Sequence, residues 1–377
     1  MFNRMKKTLL MTTALVAVFS ATNVCAEDWT ISSDETITSQ YIAKDNVTLS
    51  EGTVNISGND SGIIANGDFV MNNGTLTASS TGGSADTGVF VRGASSSVTI
   101  ENGTINLTEA RIAKGEEGVN STGDVNISGG NITLDNQAYI EMYDSNTGAV
   151  KLSGGNLIIK DNSGVLLDGA NDFTMTGGSL TATSNGNSAD TGIFVKGDGA
   201  DVNIQGGDIN LTDSRIYKGN DAATSGDINI SGGNITLNKN AYIEMRKENT
   251  GNVNMTGGKL VLNENSGLLL NTNDDQEIDG NAIKFIVNGD DAALTVNGTN
   301  QISGDIDFTK GTITVTNGAT LTSGDIAMKS ENAKIDLLGK LNTNVNGSGN
   351  LCFKNSAANV SGNVTGSSLS FDTDHSL

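Results

Sequence analysis

Carboxylate and basic side chains that could carry out chemistry occur in two sets, about 104 residues apart. The first set is Asp86, Glu109, Arg111, Lys114 and Glu141, and the second is Asp190, Asp213, Arg215, Lys218 and Glu244. Enzymes that cleave polysaccharides use two carboxyl groups about 5–10 Å apart, or a basic residue beside acidic metal ligands. A faithful second copy of each candidate is more typical of structural or binding positions, and we find no long insertion of the kind expected at an active cleft. The sequence therefore predicts no catalytic residue.

Histidine and cysteine, which often serve as base and nucleophile, are nearly missing. His375 is the only histidine and lies within three residues of the end of the sequence. Cys352 stands between Leu351 and Phe353, which favours a buried small side chain. No phosphate-binding loop, zinc pattern or dinucleotide fingerprint occurs, and calcium-binding nonapeptide repeats are absent. We expect no cofactor and no metal site; weak cation binding by turn Asp and Asn residues is the alternative to simple solubility.

The strongest pattern in the chain is a ten-residue phrase that occurs twice. Residues 125–134 read VNISGGNITL, and residues 228–237 read INISGGNITL. From Asp124 to Met142 against Asp227 to Met245, 15 of 19 positions are identical. Apolar residues at alternate positions, interrupted by Gly-Gly, predict a strand, a sharp corner and a second strand.

The same pattern recurs about every 26 residues. Its strands begin at Phe69, Val98, Val125, Val150, Phe173, Val202, Ile228 and Val253. Each step holds three apolar pieces, which predicts a right-handed parallel β-helix with about three short strands per coil. An antiparallel hairpin closed by Gly-Gly is the alternative. It leaves the third strand of every period without a partner, and the low aromatic content (4%) is unusual for a sandwich or barrel of this size.

A larger repeat and two composition changes divide the chain. Residues 1–26 have a cationic head, an apolar run and a small-residue cleavage site, which indicates a secretory signal peptide. Residues 27–68 are interpreted as N-terminal capping coils, and residues 69–275 as two duplicated four-coil blocks of β-helix. Residues 276–377 are interpreted as degenerate coils, truncated at the end.

Charge and composition exclude several classes of function. The net charge is −21, and loss of Arg4, Lys6 and Lys7 with the signal peptide would change it to −24. Such a chain repels nucleic acid and anionic lipid. The apolar run of the signal peptide is too short to span a bilayer, and we predict no transmembrane helix in the mature chain. The absence of proline suits a backbone that is paired in sheets almost throughout.

A row of hydroxyl and amide side chains alternates with the predicted core residues. It contains Thr75, Thr77, Thr104, Asn106, Thr133, Ser179, Thr181 and Thr236. Regularly spaced polar groups of this kind suit many weak contacts with a glycan or a matrix surface. They are also ordinary solvent-facing strand residues.

The signal peptide followed by degenerate V-x-I-S-G-G-x-I-x-L coils resembles the passenger region of bacterial autotransporters and related haemagglutinin-like adhesins. The resemblance covers nearly all of residues 27–377, and it implies a Gram-negative cell-surface or secreted β-helix that is exported through an outer-membrane translocator barrel. No such barrel is present in this sequence. We therefore expect a fragment, with a separate exporter or a periplasmic protein as alternatives.

Three functions fit these observations. The first is a non-catalytic adhesin that binds glycan or host matrix through the Thr/Asn-rich face. The second is a polysaccharide lyase or hydrolase on the same fold, and the third is a passive structural stalk.

Overall fold

The chain is a β-solenoid in which each coil supplies three short strands. The computed structural model describes residues 28–371, except 81, 83–85, 187–189, 221 and 273–282. Within these residues there is no α-helix, and hence no helix long and apolar enough to cross a membrane. The predicted parallel β-helix is confirmed. The signal-peptide prediction and His375 lie outside the described residues.

The strands stack in three columns, and the chain passes through the columns in turn. The first column contains β1 (Trp29–Ile31), β4 (Val47–Leu49), β7 (Phe69–Met71), β10 (Val98–Ile100), β13 (Val125–Ile127), β16 (Val150–Leu152), β19 (Phe173–Met175), β22 (Val202–Ile204), β25 (Ile228–Ile230), β28 (Val253–Met255), β35 (Ile326–Met328), β38 (Val345–Gly347) and β41 (Val364–Thr365). The second contains β2 (Glu35–Ile37), β5 (Thr53–Ser57), β8 (Thr75–Ser79), β11 (Thr104–Thr108), β14 (Asn131–Asp135), β17 (Asn156–Lys160), β20 (Ser179–Thr183), β23 (Asp208–Thr212), β26 (Asn234–Asn238), β29 (Lys259–Asn263), β36 (Ala333–Leu337), β39 (Asn350–Phe353) and β42 (Ser368–Phe371). Two longer strands, β31 (Phe285–Asn297) and β33 (Ile306–Val315), run through both columns and join them into one sheet of 28 strands.

The third column is a separate sheet of 14 strands. It contains β3 (Gln40–Ala43), β6 (Gly62–Ala65), β9 (Gly88–Val91), β12 (Arg111–Lys114), β15 (Tyr139–Met142), β18 (Gly164–Leu167), β21 (Gly192–Val195), β24 (Arg215–Lys218), β27 (Tyr242–Arg246), β30 (Gly267–Thr272), β32 (Thr299–Ile302), β34 (Thr320–Ser323), β37 (Lys340–Asn342) and β40 (Asn359–Val360).

Neighbouring strands run parallel, in the register that the repeat predicts. Val98 pairs with Val125, and Ile105 pairs with Ile132 one coil later. The described strands on either side of Gly129-Gly130, β13 and β14, pair with strands of other coils and not with each other. The hairpin alternative is therefore wrong.

The core is a stack of aliphatic side chains inside the coils. Val125, Ile132 and Leu134 are fully buried, and Ile127 is 1% exposed, so their predicted inward orientation is confirmed. Burial of one such side chain contributes roughly 1.5–3 kcal/mol. Because every coil repeats the arrangement, the stabilisation is spread along the whole axis.

The corner between the first and second columns is tight in the coils that carry the Gly-Gly sequence. Gly130 and Gly233 have φ angles of 80° and 79°, which glycine adopts without a Cβ penalty. Asn131, which follows the second glycine, is the first residue of β14 and has no positive φ. Its amide joins a ladder, in which Asn156 Nδ2 donates to Asn131 Oδ1 at 2.7 Å. A longer ladder links Asn238 to Asn210 and Asn263.

Candidate functional site

The outward side of the third column, called here the third-column face, carries side chains unlike those on the rest of the surface. Two outward positions repeat in each strand. The first of them runs through Gln40, Gly62, Gly88, Arg111, Tyr139, Gly164, Gly192, Arg215, Tyr242 and Gly267, and the second through Ile64, Phe90, Ala113, Glu141, Leu166, Phe194, Tyr217, Glu244 and Leu269. Aromatic rings are scarce in the chain, yet this face collects several of them beside glycines and ion pairs.

Glycine makes room for the phenylalanine rings on this face. A Cβ added to Gly62 would lie 3.1 Å from Phe90 Cε2, and one added to Gly164 would lie 3.0 Å from Phe194 Cε2. Each ring therefore packs against the glycine of the preceding coil. Phe90 is 8% exposed and Phe194 is 7% exposed, so each ring is fixed with little side-chain freedom.

Two ion pairs, the first partly buried and the second buried, use four of the charged residues that the sequence suggested for chemistry. Arg111 Nη1 pairs with Glu141 Oε2, and Arg215 Nη1 pairs with Glu244 Oε2 in the second block. Burial raises the pKa of Glu141, while the neighbouring Arg111 opposes that shift. Since each carboxylate is engaged by an arginine from the preceding coil, these groups hold adjacent strands together.

Lys114 and Lys218 do not lie on the surface at all. Each occupies an inward position at the end of its third-column strand and is fully buried. The ammonium of Lys114 donates to the carbonyl of Gly93 at 3.1 Å, and that of Lys218 donates to Gly197 at 2.9 Å. Burial lowers the pKa of both, to about 8 for Lys218. Neither lysine is placed to act on a ligand at the third-column face.

Glu109 and Asp213 occupy equivalent corner positions with positive φ, of 49° and 48°. Asn136 donates to Glu109, and Asp213 accepts from Lys239 Nζ at 2.8 Å and Asn240 Nδ2 at 3.0 Å. The hydrogen bonds from Lys239 and Asn240 outweigh desolvation and lower the pKa of Asp213. These two acids therefore connect one corner to the next.

A cleft of about 470 Å³ opens on the third-column face and is called the large cleft. Its lining comprises Gln137, Tyr139, Asn162, Leu166, Asp190, Phe194 and Lys196. Phe194 and Leu166 provide apolar surface, whereas the amides and the charged groups provide hydrogen-bonding capacity. Lys196 Nζ lies 3.3 Å from Asp168 Oδ1, so its charge is balanced at the edge.

Tyr139 is held rigidly in the large cleft as a neutral phenol. Its hydroxyl donates to the carbonyl of Asn162 at 2.7 Å. Burial, followed by the negative charge of Asp190, raises the Tyr139 pKa to about 12. The ring therefore presents an uncharged, oriented surface at all physiological pH values.

A smaller cleft of about 140 Å³ lies nearer the N-terminal end of the same face. Its lining comprises Gln40, Asp86, Phe90, Arg92, Gly115, Glu116, Glu117 and Tyr143. Phe90 packs there with Ile64 and Ala113, and Tyr143 covers this small apolar cluster.

The connections that lead into β9 and β21 are longer than the connection that leads into β18. Residues 80–87 and 184–191 each provide eight residues between the second and third columns, whereas 161–163 provide three. Asp86 and Asp190 stand in these longer connections and line the two clefts. This short loop insertion occurs in both blocks and leaves the register of the third-column strands unchanged. The 29-residue steps that begin at Phe69 and Phe173 are its signature in the sequence.

The Thr/Asn-rich row predicted as the binding face lies on the second column. Thr75 pairs with Thr104, and Thr77 pairs with Asn106, so the row is a true stack. Thr181 is exposed and Thr236 is half-buried. None of these side chains lines either cleft. Cys352 is buried as expected, at 9% exposure.

The sequence interpretation missed the residues that form the clefts, above all Phe90, Phe194 and Tyr139. The alternation of inward and outward side chains along each strand places these rings on the outward side. An aromatic side chain in an outward position was the signal that could have identified them. In the described part of the chain, no group of three or more His, Cys, Asp or Glu residues is arranged to hold a metal ion.

One comparison with known proteins gives a match. A family model described as "Carbohydrate-binding domain-containing protein" matches residues 13–138, which are 126 of the 377 residues. The matched stretch includes the whole lining of the small cleft except Tyr143. No curated protein and no solved structure matches the chain significantly.

Proposed function

We propose that this protein is a non-catalytic glycan-binding rod and that the large cleft is a sugar-binding site. The observation that carries the proposal is the composition of this cleft, in which the rings of Tyr139 and Phe194 stand beside the amides of Gln137 and Asn162 and the carboxylate of Asp190. Ligand pockets usually combine apolar and aromatic walls with a few placed polar groups. The match of residues 13–138 to a carbohydrate-binding family model supports glycan binding by the chain, although of this lining it includes only Gln137.

The chemistry of the lining fits a sugar ring. A pyranose has apolar C–H faces that pack on aromatic carbon and a rim of hydroxyls that donate and accept hydrogen bonds. Phe194 and Leu166 supply the apolar contact, while Gln137, Asn162 and Asp190 supply donors and acceptors. The Tyr139 hydroxyl already donates a hydrogen bond to the carbonyl of Asn162. Tyr139 would therefore contact a sugar mainly through the surface of its ring.

The negative charge of the chain favours binding of some classes of glycan over others. The chain carries a net charge of −21, and the one basic residue of the large cleft, Lys196, is paired with Asp168. Polyanions such as uronate polymers are repelled by a field of this sign. The ligand class we propose is therefore a neutral or amino-bearing glycan.

The number of acids in the large cleft favours binding over cleavage, because Asp190 is the one carboxylate in its lining and glycoside hydrolysis usually needs two. Glu141 and Glu244 are engaged in arginine pairs, and Lys114 and Lys218 are inside the core. A general acid or base must come within hydrogen-bonding distance of the atom it serves. Together with the signal-peptide pattern, these positions lead us to propose an exported protein that acts at the cell surface or outside the cell as an adhesin.

Binding to neutral glycans tests the proposal. The mature chain is titrated calorimetrically with trisaccharides of glucose, mannose, galactose and N-acetylglucosamine, and with trigalacturonate as the acidic probe. We expect one neutral or amino-bearing trisaccharide to bind, and Phe194→Ala and Asp190→Asn each to weaken it at least tenfold. Thr181→Ala, on the second column, serves as the matched control and should leave the affinity unchanged.

Two results would overturn the proposal. One is binding that depends on Thr181 and not on Phe194, which would move the site to the Thr/Asn-rich face. The other is release of reducing sugar or unsaturated product that is lost in Asp190→Asn, which would make the protein an enzyme.

A further inference from the structure

The two clefts share a set of three equivalent residues. Asp86, Phe90 and Arg92 line the small cleft, while Asp190, Phe194 and Lys196 line the large one. Each residue of the second set follows its counterpart by 104 positions, and the basic residue keeps its charge. Both phenylalanines are packed on a glycine of the preceding coil, and both acids lie in an eight-residue connection. The same binding arrangement therefore occurs twice on one face.

The two arrangements are in line with each other along the axis. Strand pairing carries the position of Phe90 through Ala113, Glu141 and Leu166 to Phe194, without a change of register. Four steps between adjacent strands, at about 4.8 Å each, place the two phenylalanines about 19 Å apart. A parallel sheet in continuous register connects the sites, so their separation is fixed by the fold.

The residues between the two phenylalanines form the surface that a ligand in both clefts would contact. Ala113 is fully buried in the cluster against which Tyr143 packs, and the next outward position is occupied by Glu141. Glu141 is held down by its pair with Arg111. Tyr139 and Tyr143 border this stretch and are half-buried. This strip has small or fixed side chains and aromatic edges, which suits contact with an extended chain of sugars.

The walls of the clefts differ, so the two sites are not interchangeable. The small cleft contains Glu116 and Glu117 in addition to Asp86, against the single basic residue Arg92. The large cleft has one acid, Asp190, and one basic residue, Lys196, whose ammonium pairs with Asp168 at the edge. A positively charged or strongly hydrogen-bonding sugar is therefore favoured in the small cleft relative to the large one.

We infer that the ligand is a linear polysaccharide that lies along the third-column face and occupies both clefts at once. This inference rests on the proposed function of the large cleft. A free mono- or disaccharide is too short to span about 19 Å. Once a polymer is bound in one cleft, its binding to the second cleft is an intramolecular step. Bivalent attachment of this kind raises overall affinity by about 10²- to 10⁴-fold over that of one site.

The test compares short and long forms of the same neutral glycan. Calorimetry of the mature chain uses the trisaccharide that binds best and a size-fractionated polymer of the same sugar. We expect two trisaccharides per chain, and a polymer affinity at least a hundredfold higher than that of the trisaccharide. Phe90→Ala or Phe194→Ala alone should weaken trisaccharide binding at the altered cleft at least tenfold, so that one trisaccharide per chain still binds with the original affinity, and should lower polymer affinity to that of the trisaccharide. Asp86→Asn and Asp190→Asn repeat the comparison with side chains of the same size, and circular dichroism checks that each variant is folded.

The outcomes separate this inference from the proposed function. One trisaccharide per chain, with a polymer affinity that is unaffected by Phe90→Ala and Asp86→Asn, would overturn the inference and leave the large cleft as the only site. Equal affinity for trisaccharide and polymer would also overturn it. Absence of binding by every trisaccharide and polymer would overturn both proposals together.

Discussion

Replacing the buried Lys218 by methionine should remove the part of the pH dependence of folding stability that comes from titration of this lysine. Lys218 lies between Val195 and Met245 in an inward stack and is fully buried. Desolvation lowers its pKa from 10.5 to about 8 in the folded chain, against the opposing charges of surrounding carboxylates. Those carboxylates are Asp201, Asp198, Asp172 and Asp227.

The sign and size of the effect follow from this difference in pKa. Between pH 8 and pH 10.5 the unfolded chain holds the Lys218 proton and the folded chain does not, so the stability of the wild type rises with pH in this window. The difference between 10.5 and about 8 corresponds to about 3 kcal/mol, because a tenfold change in proton affinity is about 1.4 kcal/mol. Below pH 8 the folded protein therefore bears a penalty of about that size.

Lys218→Met removes this penalty and also the hydrogen bond to the carbonyl of Gly197. Loss of that bond costs about 1 kcal/mol. We expect the variant to be about 2 kcal/mol more stable than the wild type at pH 7 and slightly less stable at pH 10.5. Urea unfolding followed by far-ultraviolet circular dichroism, at intervals from pH 7 to 10.5, measures both profiles.

Lys151→Met is the matched control, since the Lys151 side chain is 49% exposed and lies on the outside of the first column. Its pH profile should follow that of the wild type. If the stability difference between Lys218→Met and the wild type stays constant from pH 7 to 10.5, the account of Lys218 as a buried charge is refuted.

Three further substitutions probe the packing. Arg215→Ala leaves Glu244 buried without its guanidinium partner, and it should lower the free energy of unfolding by about 3–5 kcal/mol; a loss below 1 kcal/mol in urea unfolding would contradict the pairing. Ile230→Asp puts a carboxylate into the aliphatic stack and should lower the thermal midpoint strongly, whereas Thr236→Asp on the outside should have a small effect; equal midpoints would refute the inward assignment of Ile230. Gly164→Ala would place a Cβ 2.4 Å from the Gly192 carbonyl oxygen, so we expect a lower midpoint in calorimetry, and an unchanged one would show that the third column can shift.

The repetitive part of the fold could be predicted from the sequence because its cause is local. All eight strand starts expected from Phe69 to Val253 coincide with β7, β10, β13, β16, β19, β22, β25 and β28. Alternation of apolar residues fixes which side chains point inward, and the Ser-Gly-Gly corner fixes where the chain bends. Each coil then repeats the local structure of the previous coil.

The candidate site could not be predicted in the same way, because it depends on how residues from different coils combine. In the sequence, Phe194 resembles any other apolar strand residue. Only the register of the strands shows that Gly164 of the preceding coil lies against its ring. Lys114 resembles a surface residue in the sequence, but the alternation of β12 turns it inward. Tyr139 and Asp190 are 51 residues apart, and only the stacking of strands brings them to one cleft.

The corners between the columns differ in how readily they accept additional residues, and this difference affects how such a protein can evolve. The corner between the first and second columns is closely packed from coil to coil: a Cβ on Gly129 would lie 2.1 Å from the Glu101 carbonyl oxygen. Added residues are instead accommodated on either side of the third column, in connections such as 80–87 and 115–124. New side chains can thus be introduced next to the clefts while the scaffold stays unaltered, as in other proteins that carry variable loops on a rigid frame. Related chains with the same coils could therefore diversify the lining of the clefts through changes in loop length alone.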